Sequence, residues 1–202
     1  MFDKLALKLT KPAVDLIANH RICQNISAEQ MTFAALGLGL LSAILIALGQ
    51  SQIALLPLLL GRVADGLDGA IARACNDQKD SGAFLDITLD FVFYASVPLA
   101  FAIANPAANA LAGAVLLAAF VTTGTSFLAY AALAAKRGEK SSDYPTKGIY
   151  YLGGITEGAE TILFFVLVCL WPSWFATLAY IYAALCAFTT FTRIKAGWER
   201  FR

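Results

Sequence analysis

Charge is what this sequence of 202 residues has least of. Only 14% of its residues are Asp, Glu, Lys or Arg, whereas a globular domain carries about 25%. So few charges cannot coat a water-facing surface, and 59% of the chain is hydrophobic. There is a single histidine, His20, in a mixed polar segment, so no histidine cluster can bind metal or relay protons. The four cysteines, Cys23, Cys75, Cys169 and Cys186, lack the paired spacing of a zinc site or disulfide scaffold. Cys169 and Cys186 fall in apolar runs and read as small core residues. A formal net charge of +1 gives no global field for nucleic acid. The first apolar run comes late, after a polar segment, so no cleavable leader pattern is visible. What remains is a one-domain, multi-pass membrane protein.

A helix needs about 20 apolar residues to cross a bilayer. Six such stretches can be read, at about 30–49, 52–73, 82–104, 108–135, 148–170 and 173–195. Short breakers, Gly49-Gln50-Ser51-Gln52, Asn105-Pro106 and Trp171-Pro172-Ser173-Trp174, carry no lysine or arginine. The opposite side collects Lys4, Lys8, Lys11, Arg21, Arg73, Lys79, Lys136, Arg137, Lys140, Lys147, Arg193, Lys195, Arg200 and Arg202. Basic residues stay in the cytoplasm, which predicts an inner-membrane bundle with both termini cytoplasmic.

Residues 1–25 read differently. Phe2, Leu5, Leu9, Ala13, Leu16 and Ile17 recur at helical spacing, with Lys4, Lys8, Lys11 and Asp15 on other faces. This predicts an amphipathic helix on the membrane surface, bent at Pro12, followed by a link. Residues 26–202 would form the six-helix membrane domain, all α. Ser27 and Gln30 have capping-box spacing and predict a clean start to the first span.

The acidic residues carry the chemistry. Asp65 and Asp68 fall in the second apolar stretch, Asp86 and Asp90 in the third, across a short cytoplasmic link. An ionisable group at membrane depth is costly and points to function. On a helix, Asp65 and Asp68 lie roughly 60° apart, and Asp86 and Asp90 roughly 40° apart. Antiparallel neighbours would bring both pairs to one depth, where four carboxylates repel unless a cation neutralises them. An all-oxygen cluster suits Mg²⁺ or Mn²⁺, and two such ions can clamp a diphosphate. Gly66 and Gly69 leave room for phosphate to approach the helix. Arg73, about 12 Å along the axis from Asp65, can bind phosphate or pair with a carboxylate.

The pattern Asp65-x-x-Asp68-Gly69-x-x-Ala72-Arg73, eight residues, then Gly82-x-x-x-Asp86-x-x-x-Asp90 resembles the signature of CDP-alcohol phosphatidyltransferases. The run 151–162 is similar to a small bacterial branch of that family. The resemblance implies a metal-dependent transferase of phospholipid biosynthesis with CDP-diacylglycerol or another CDP-alcohol as donor. It implies that Asp65, Asp68 and Asp86 bind metal, with Asp90 the general base and a further metal contact. Gly69, Ala72, Arg73 and Gly82 would shape the nucleotide and diphosphate site. Thr32 matches a threonine many members carry near the nucleotide; Ala28 stands where many carry proline. A homodimer is also implied.

The acceptor, a small polar alcohol, leaves fainter marks. Glu157 and Glu160, three apart in the fifth apolar stretch, would share a helical face near Tyr150, Tyr151 and Thr156. They would hold an acceptor's hydroxyls or cation, or else pair with Arg62 or Arg193. Arg193, with Lys136, Arg137, Lys140 and Lys147, can also gather a phosphorylated acceptor. Thr122, Thr123, Thr125 and Ser126 read as helix-packing hydroxyls. The alternative function is a cation transporter built on the same aspartates. It leaves the glycine and arginine spacing around the acids unexplained.

Overall fold

The computed structural model describes residues 26–75, 78–138 and 154–202. The surface helix expected over residues 1–25 lies outside them, as do Lys140, Lys147, Tyr150 and Tyr151. All described regular structure is helical. The order is α1 (Ala28–Ala47), α2 (Ser51–Ala74), α3 (Asp80–Ala104), α4 (Pro106–Lys136), α5 (Gly158–Leu170) and α6 (Phe175–Phe201). A 3₁₀ turn, Pro172–Trp174, precedes α6.

Local chemistry sets most of these boundaries. Ser27 caps α1: its hydroxyl accepts the Gln30 N–H at 3.2 Å, and Gln30 Oε1 accepts the Ser27 N–H at 3.0 Å. Gly49 ends the turn after α1 at φ +79°, a left-handed conformation that glycine adopts without steric cost. Asn105 caps α4 by accepting the Ala108 N–H, and Pro106 fills the first helical position, where its missing N–H is harmless.

Helix α1 packs on α2 and α3, α3 on α4, α4 on α6, and α2 reaches α5. The core is rich in aromatic rings. Phe93 meets Phe165 edge-on at 5.7 Å, while Phe101 stacks on Phe175 at 4.5 Å. Small residues let the helices close. A Cβ on Gly39 would lie 2.6 Å from the Phe93 ring, and one on Gly61 only 3.1 Å from the Ala35 carbonyl. Outside, large apolar side chains such as Ile44, Leu56, Leu111, Val121 and Phe191 are exposed. So wide an apolar surface marks a face turned to lipid or to another protein.

Four segments, Ala28–Ala47, Asp80–Ala104, Pro106–Lys136 and Pro172–Phe201, are long and apolar enough to cross a membrane. Helix α2 has the length but carries Arg62, Asp65, Asp68 and Arg73.

Two spans differ from expectation. Within 148–170, α5 begins only at Gly158 and has 13 residues, about 20 Å at about 1.5 Å per residue. The preceding segment bonds elsewhere: the Glu157 carboxylate accepts the Gly154 N–H at 2.7 Å, a local bond of the kind that competes with a helix, and the Thr156 hydroxyl donates to that of Thr189 at 3.0 Å. Helix α6 instead runs past 195 to Phe201. Arg137 donates to the Arg200 and Phe201 carbonyls, both at 2.9 Å, and so holds the last turn.

Candidate active site

The second half of α2 and the first half of α3 supply the acids. Asp65, Asp68 and Asp86 each place a carboxylate oxygen so that all three lie within 4.8 Å of one another. Oxygens bound to one Mg²⁺ at about 2.1 Å lie up to about 4.2 Å apart. Adjacent oxygens on such an ion stand about 3 Å apart, so the three lie near enough to draw in around a hard divalent ion. Their donor set, oxygen alone, disfavours zinc.

Thr32 on α1 is buried and lies 2.7 Å from Asp68 Oδ2 and 3.0 Å from the Ala28 carbonyl of its own helix. Its one hydroxyl proton favours the shorter, charged acceptor. Thr32 thus fixes Asp68, itself only 7% exposed. Ala28 opens α1 in helical form behind the Ser27 cap, so proline is not required there.

The fourth carboxylate is held differently. Arg62 Nη1 donates to Asp90 Oδ1 at 2.8 Å and lies 3.5 Å from Asp65 Oδ2. Its guanidinium also rests over the Phe93 ring, 4.3 Å from the centroid. The pairing of Arg62 with the glutamates, open from sequence, is not what forms. The signal for its real position was modest: Arg62 precedes Asp65 by three residues and so shares its helical face. A small cavity is bounded by Thr32, Arg62, Asp65, Asp86 and Asp90, with Leu36 and Leu89 beside them.

Arg73 is exposed and folds back along α2, so that a Cβ on Gly69 would lie 3.2 Å from its Nη1. Around Gly82 the space where a Cβ would stand is open. Ala72 is half-buried beside Arg73.

Glu157 and Glu160 do not share a helical face. Glu157 is extended, at φ −98° and ψ −174°, just before α5, whereas Glu160 is in the first turn. Arg193, buried on α6, donates to the Thr123 carbonyl at 3.2 Å and lies 5.4 Å from the Phe127 ring centroid. A Cβ on Gly154 would lie 3.2 Å from Arg193 Nη2, so the segment before α5 adjoins this arginine. Thr161 with Tyr182, at 2.9 Å, and Thr156 with Thr189 complete this second polar cluster. Tyr182 and Thr189 were not singled out by sequence, because nothing local sets them apart from Tyr180, Thr190 and Thr192 beside them. Thr123 does bind α6, through Thr190 at 3.1 Å and the Cys186 carbonyl at 3.3 Å. Thr122 and Ser126 bond instead to carbonyls of their own helix. Cys169 and Cys186 are buried core residues, as expected.

Replacing Thr32 by Val keeps the shape and removes the bond to Asp68. Loss of a group that orients a metal ligand costs roughly 10–100-fold in metal affinity. A Mn²⁺ titration of purified Thr32→Val is expected to show a loss in that range.

A family model described as CDP-alcohol phosphatidyltransferase matches residues 25–192. The chain is 53% identical over 173 residues to inner membrane protein YnjF of Escherichia coli (strain K12), covering 86% of this chain and 84% of that one. Inner membrane protein YnbA of the same organism is 36% identical over 123 residues, covering 59% of this chain and 58% of that one. Among solved structures, Mycobacterium tuberculosis phosphatidylinositol phosphate synthase (PgsA1) with CDP-DAG bound superimposes with a TM-score of 0.71 at 18% identity, covering 92% of this chain and 93% of that one. The same synthase in complex with manganese and citrate gives 0.72 at 19%, covering 92% of this chain and 88% of that one. At such identity these structures speak for the fold alone. The family model spans α1 through most of α6, including all four aspartates, and the chain belongs to the CDP-alcohol phosphatidyltransferase family.

Proposed function

We propose that this protein transfers a phosphatidyl group from CDP-diacylglycerol to a hydroxyl of a small polar alcohol, releasing CMP. The observation that carries this is the meeting of Asp65, Asp68 and Asp86 within 4.8 Å, with Asp90 on a cavity that Asp65 and Asp86 also line. Mg²⁺ or Mn²⁺ held by the three would offset the donor's diphosphate charge and ease departure of CMP.

The chain's own groups do the rest. Asp90 accepts the proton of the acceptor hydroxyl. The freed oxygen bonds to the phosphorus bearing the diacylglycerol, and the bond from that phosphorus to the CMP oxygen breaks. Thr32 keeps Asp68 in place. Arg73, exposed beside Gly69, contacts the diphosphate, with Ala72 and the open space at Gly82 admitting the nucleotide. Glu157, Glu160 and Arg193 form the acceptor side, and Arg62 borders both the aspartates and the cavity.

The same reading places six spans in a bacterial inner membrane, both termini in the cytoplasm and the acids at the cytoplasmic leaflet. Residues 1–25 would lie on that surface, and the protein would be a homodimer. Basic residues gathered at one end of the helices support the orientation. The 24 residues of α2 extend about 36 Å, enough to span with tilt. Irregular backbone before α5 is tolerated at membrane depth because Thr156 and Glu157 are buried in protein. The relative YnjF is named an inner membrane protein, and PgsA1 was solved with CDP-DAG, consistent with location and donor.

The test is a product screen. Purified protein, CDP-diacylglycerol and Mg²⁺ are incubated with pooled polyols, amino alcohols and sugar phosphates, and lipids are read by mass. One pool is expected to yield a new phosphatidyl ester with matching CMP. No ester from any pool, with product instead from diacylglycerol and a CDP-linked head group, would reverse the donor assignment.

A further inference from the structure

The aspartates occupy one end of the bundle, and a second cavity lies toward the other. Its volume is about 200 Å³, and Ser51, Asn105, Asn109 and Ser173 line it together with Ile46 and Phe101. Ser51 precedes Asp65 by 14 residues on α2, which is about 21 Å along the axis. None of its lining residues borders the cavity beside the aspartates. The α1–α2, α3–α4 and α5–α6 links meet here, and Gly49 to Gln52, Asn105-Pro106 and Trp171 to Trp174 hold no charged residue.

The lining is uncharged yet polar, and part of it has bonding capacity to spare. Ser51 is 5% exposed, and its hydroxyl bonds to none of the described residues. Buried hydroxyls in folded proteins find a partner, so this one points to a bound group. Asn109, 7% exposed, donates its Nδ2 to the Phe101 carbonyl at 3.0 Å, which orients the amide and leaves Oδ1 as an acceptor. Asn105 is the reverse: its Oδ1 accepts the Ala108 N–H, and its amide protons remain to donate. Donors and acceptors are thus mixed. A phosphate would meet no cation here, and an ammonium no carboxylate.

A hydroxyl both donates and accepts, so a molecule carrying several of them satisfies this lining while Ile46 and Phe101 cover its carbons. The size sets a limit. A water takes about 30 Å³ of liquid, so 200 Å³ holds roughly six waters or one glycerol. Trp171 and Trp174, 55% and 57% exposed, flank Pro172 and Ser173, and tryptophan gathers at the headgroup level of a bilayer. We propose that this cavity is a binding site for a glycerol-sized polyol, either free or as the head of a membrane lipid. The site is separate from the aspartates, so failure of the transfer reaction would leave it standing, and the converse holds too.

The experiment places the protein in nanodiscs with equal amounts of lipids bearing phosphoglycerol, phosphoethanolamine and bare phosphate heads. It is then released into a detergent without hydroxyls for native mass spectrometry. Binding of labelled glycerol to lipid-free protein is measured in parallel by equilibrium dialysis. For a lipid head, wild type is expected to retain one phosphoglycerol lipid per chain, about 10-fold over the other two. For a free polyol, dialysis is expected to show one glycerol per chain, with no preference among lipids. In either case Ala108→Leu, which fills part of the cavity, should abolish the binding without altering thermal unfolding. Ser51→Ala keeps the space and removes one hydroxyl, so it should weaken binding by about 3–10-fold. It decides the matter if Ala108→Leu fails to fold. No head-group preference together with no bound glycerol would mean a cavity that holds water only, and would overturn the proposal. Binding that survives unchanged in folded Ala108→Leu would belong elsewhere on the protein and would overturn it as well.

Discussion

Asp90→Asn is expected to lower acceptor-dependent CMP release by about 10²–10⁴-fold, the usual worth of a positioned general base. The amide keeps the shape of the carboxylate and can still accept a hydrogen bond from Arg62, but it cannot take a proton from an attacking alcohol. Asp90 lines the cavity that Asp65 and Asp86 also line, so its loss should lower turnover far more than it weakens Mn²⁺ binding. The informative comparison is therefore turnover against metal affinity in the same preparation. Full CMP release by Asp90→Asn would remove it as the base. A parallel collapse of metal binding would make it a ligand instead.

Asp86→Asn should behave in the opposite way, losing metal and turnover together. Asp86 is the one carboxylate of the three that comes from α3, whereas Asp65 and Asp68 both come from α2. Without it, the ion is left with ligands from a single helix. Losing a group that merely orients a ligand costs roughly 10–100-fold, so losing a charged ligand should weaken Mn²⁺ by more than about 100-fold. Stability should move the other way, or not at all, in metal-free protein. Removing one of four clustered negative charges relieves repulsion that Arg62 and Thr32 temper in part. Thermal unfolding with and without Mn²⁺ checks both halves. The metal-induced gain in Tm should vanish, and the metal-free Tm should not fall.

The meeting of the carboxylates was legible because helical periodicity and hydrophobic run length act locally. The spacing of Asp65 with Asp68 and of Asp86 with Asp90 gives one face on each helix, and a short link makes the helices antiparallel. The cap at Ser27, the turn at Gly49 and the start at Pro106 were equally local. What was not legible depends on contacts across the bundle. Arg62 could have met Glu157 or Glu160 as far as sequence shows. Its pairing with Asp90 depends on how α2 and α3 sit in the bundle, with the guanidinium over the Phe93 ring. The late start of α5 has a similar origin. Apolar residues from 148 onward suit a helix, yet Thr156 finds Thr189 on α6, far along the chain. The length of α6 was missed for the same reason, since its last turn depends on Arg137 of α4. Thr32 was singled out through resemblance alone, and its bond to Asp68 appears only when α1 is packed against α2.

The most direct test of the central claim is a time course of CMP release from CDP-diacylglycerol by wild-type protein with a productive acceptor. EDTA is added midway, and Mn²⁺ is then restored in excess. Release that depends on acceptor, stops with EDTA and resumes with Mn²⁺ is the predicted result. Release that continues undiminished in EDTA would contradict a metal-dependent transferase. No release with any acceptor, while Mn²⁺ crosses the membrane of proteoliposomes without nucleotide, would assign the same aspartates to cation transport.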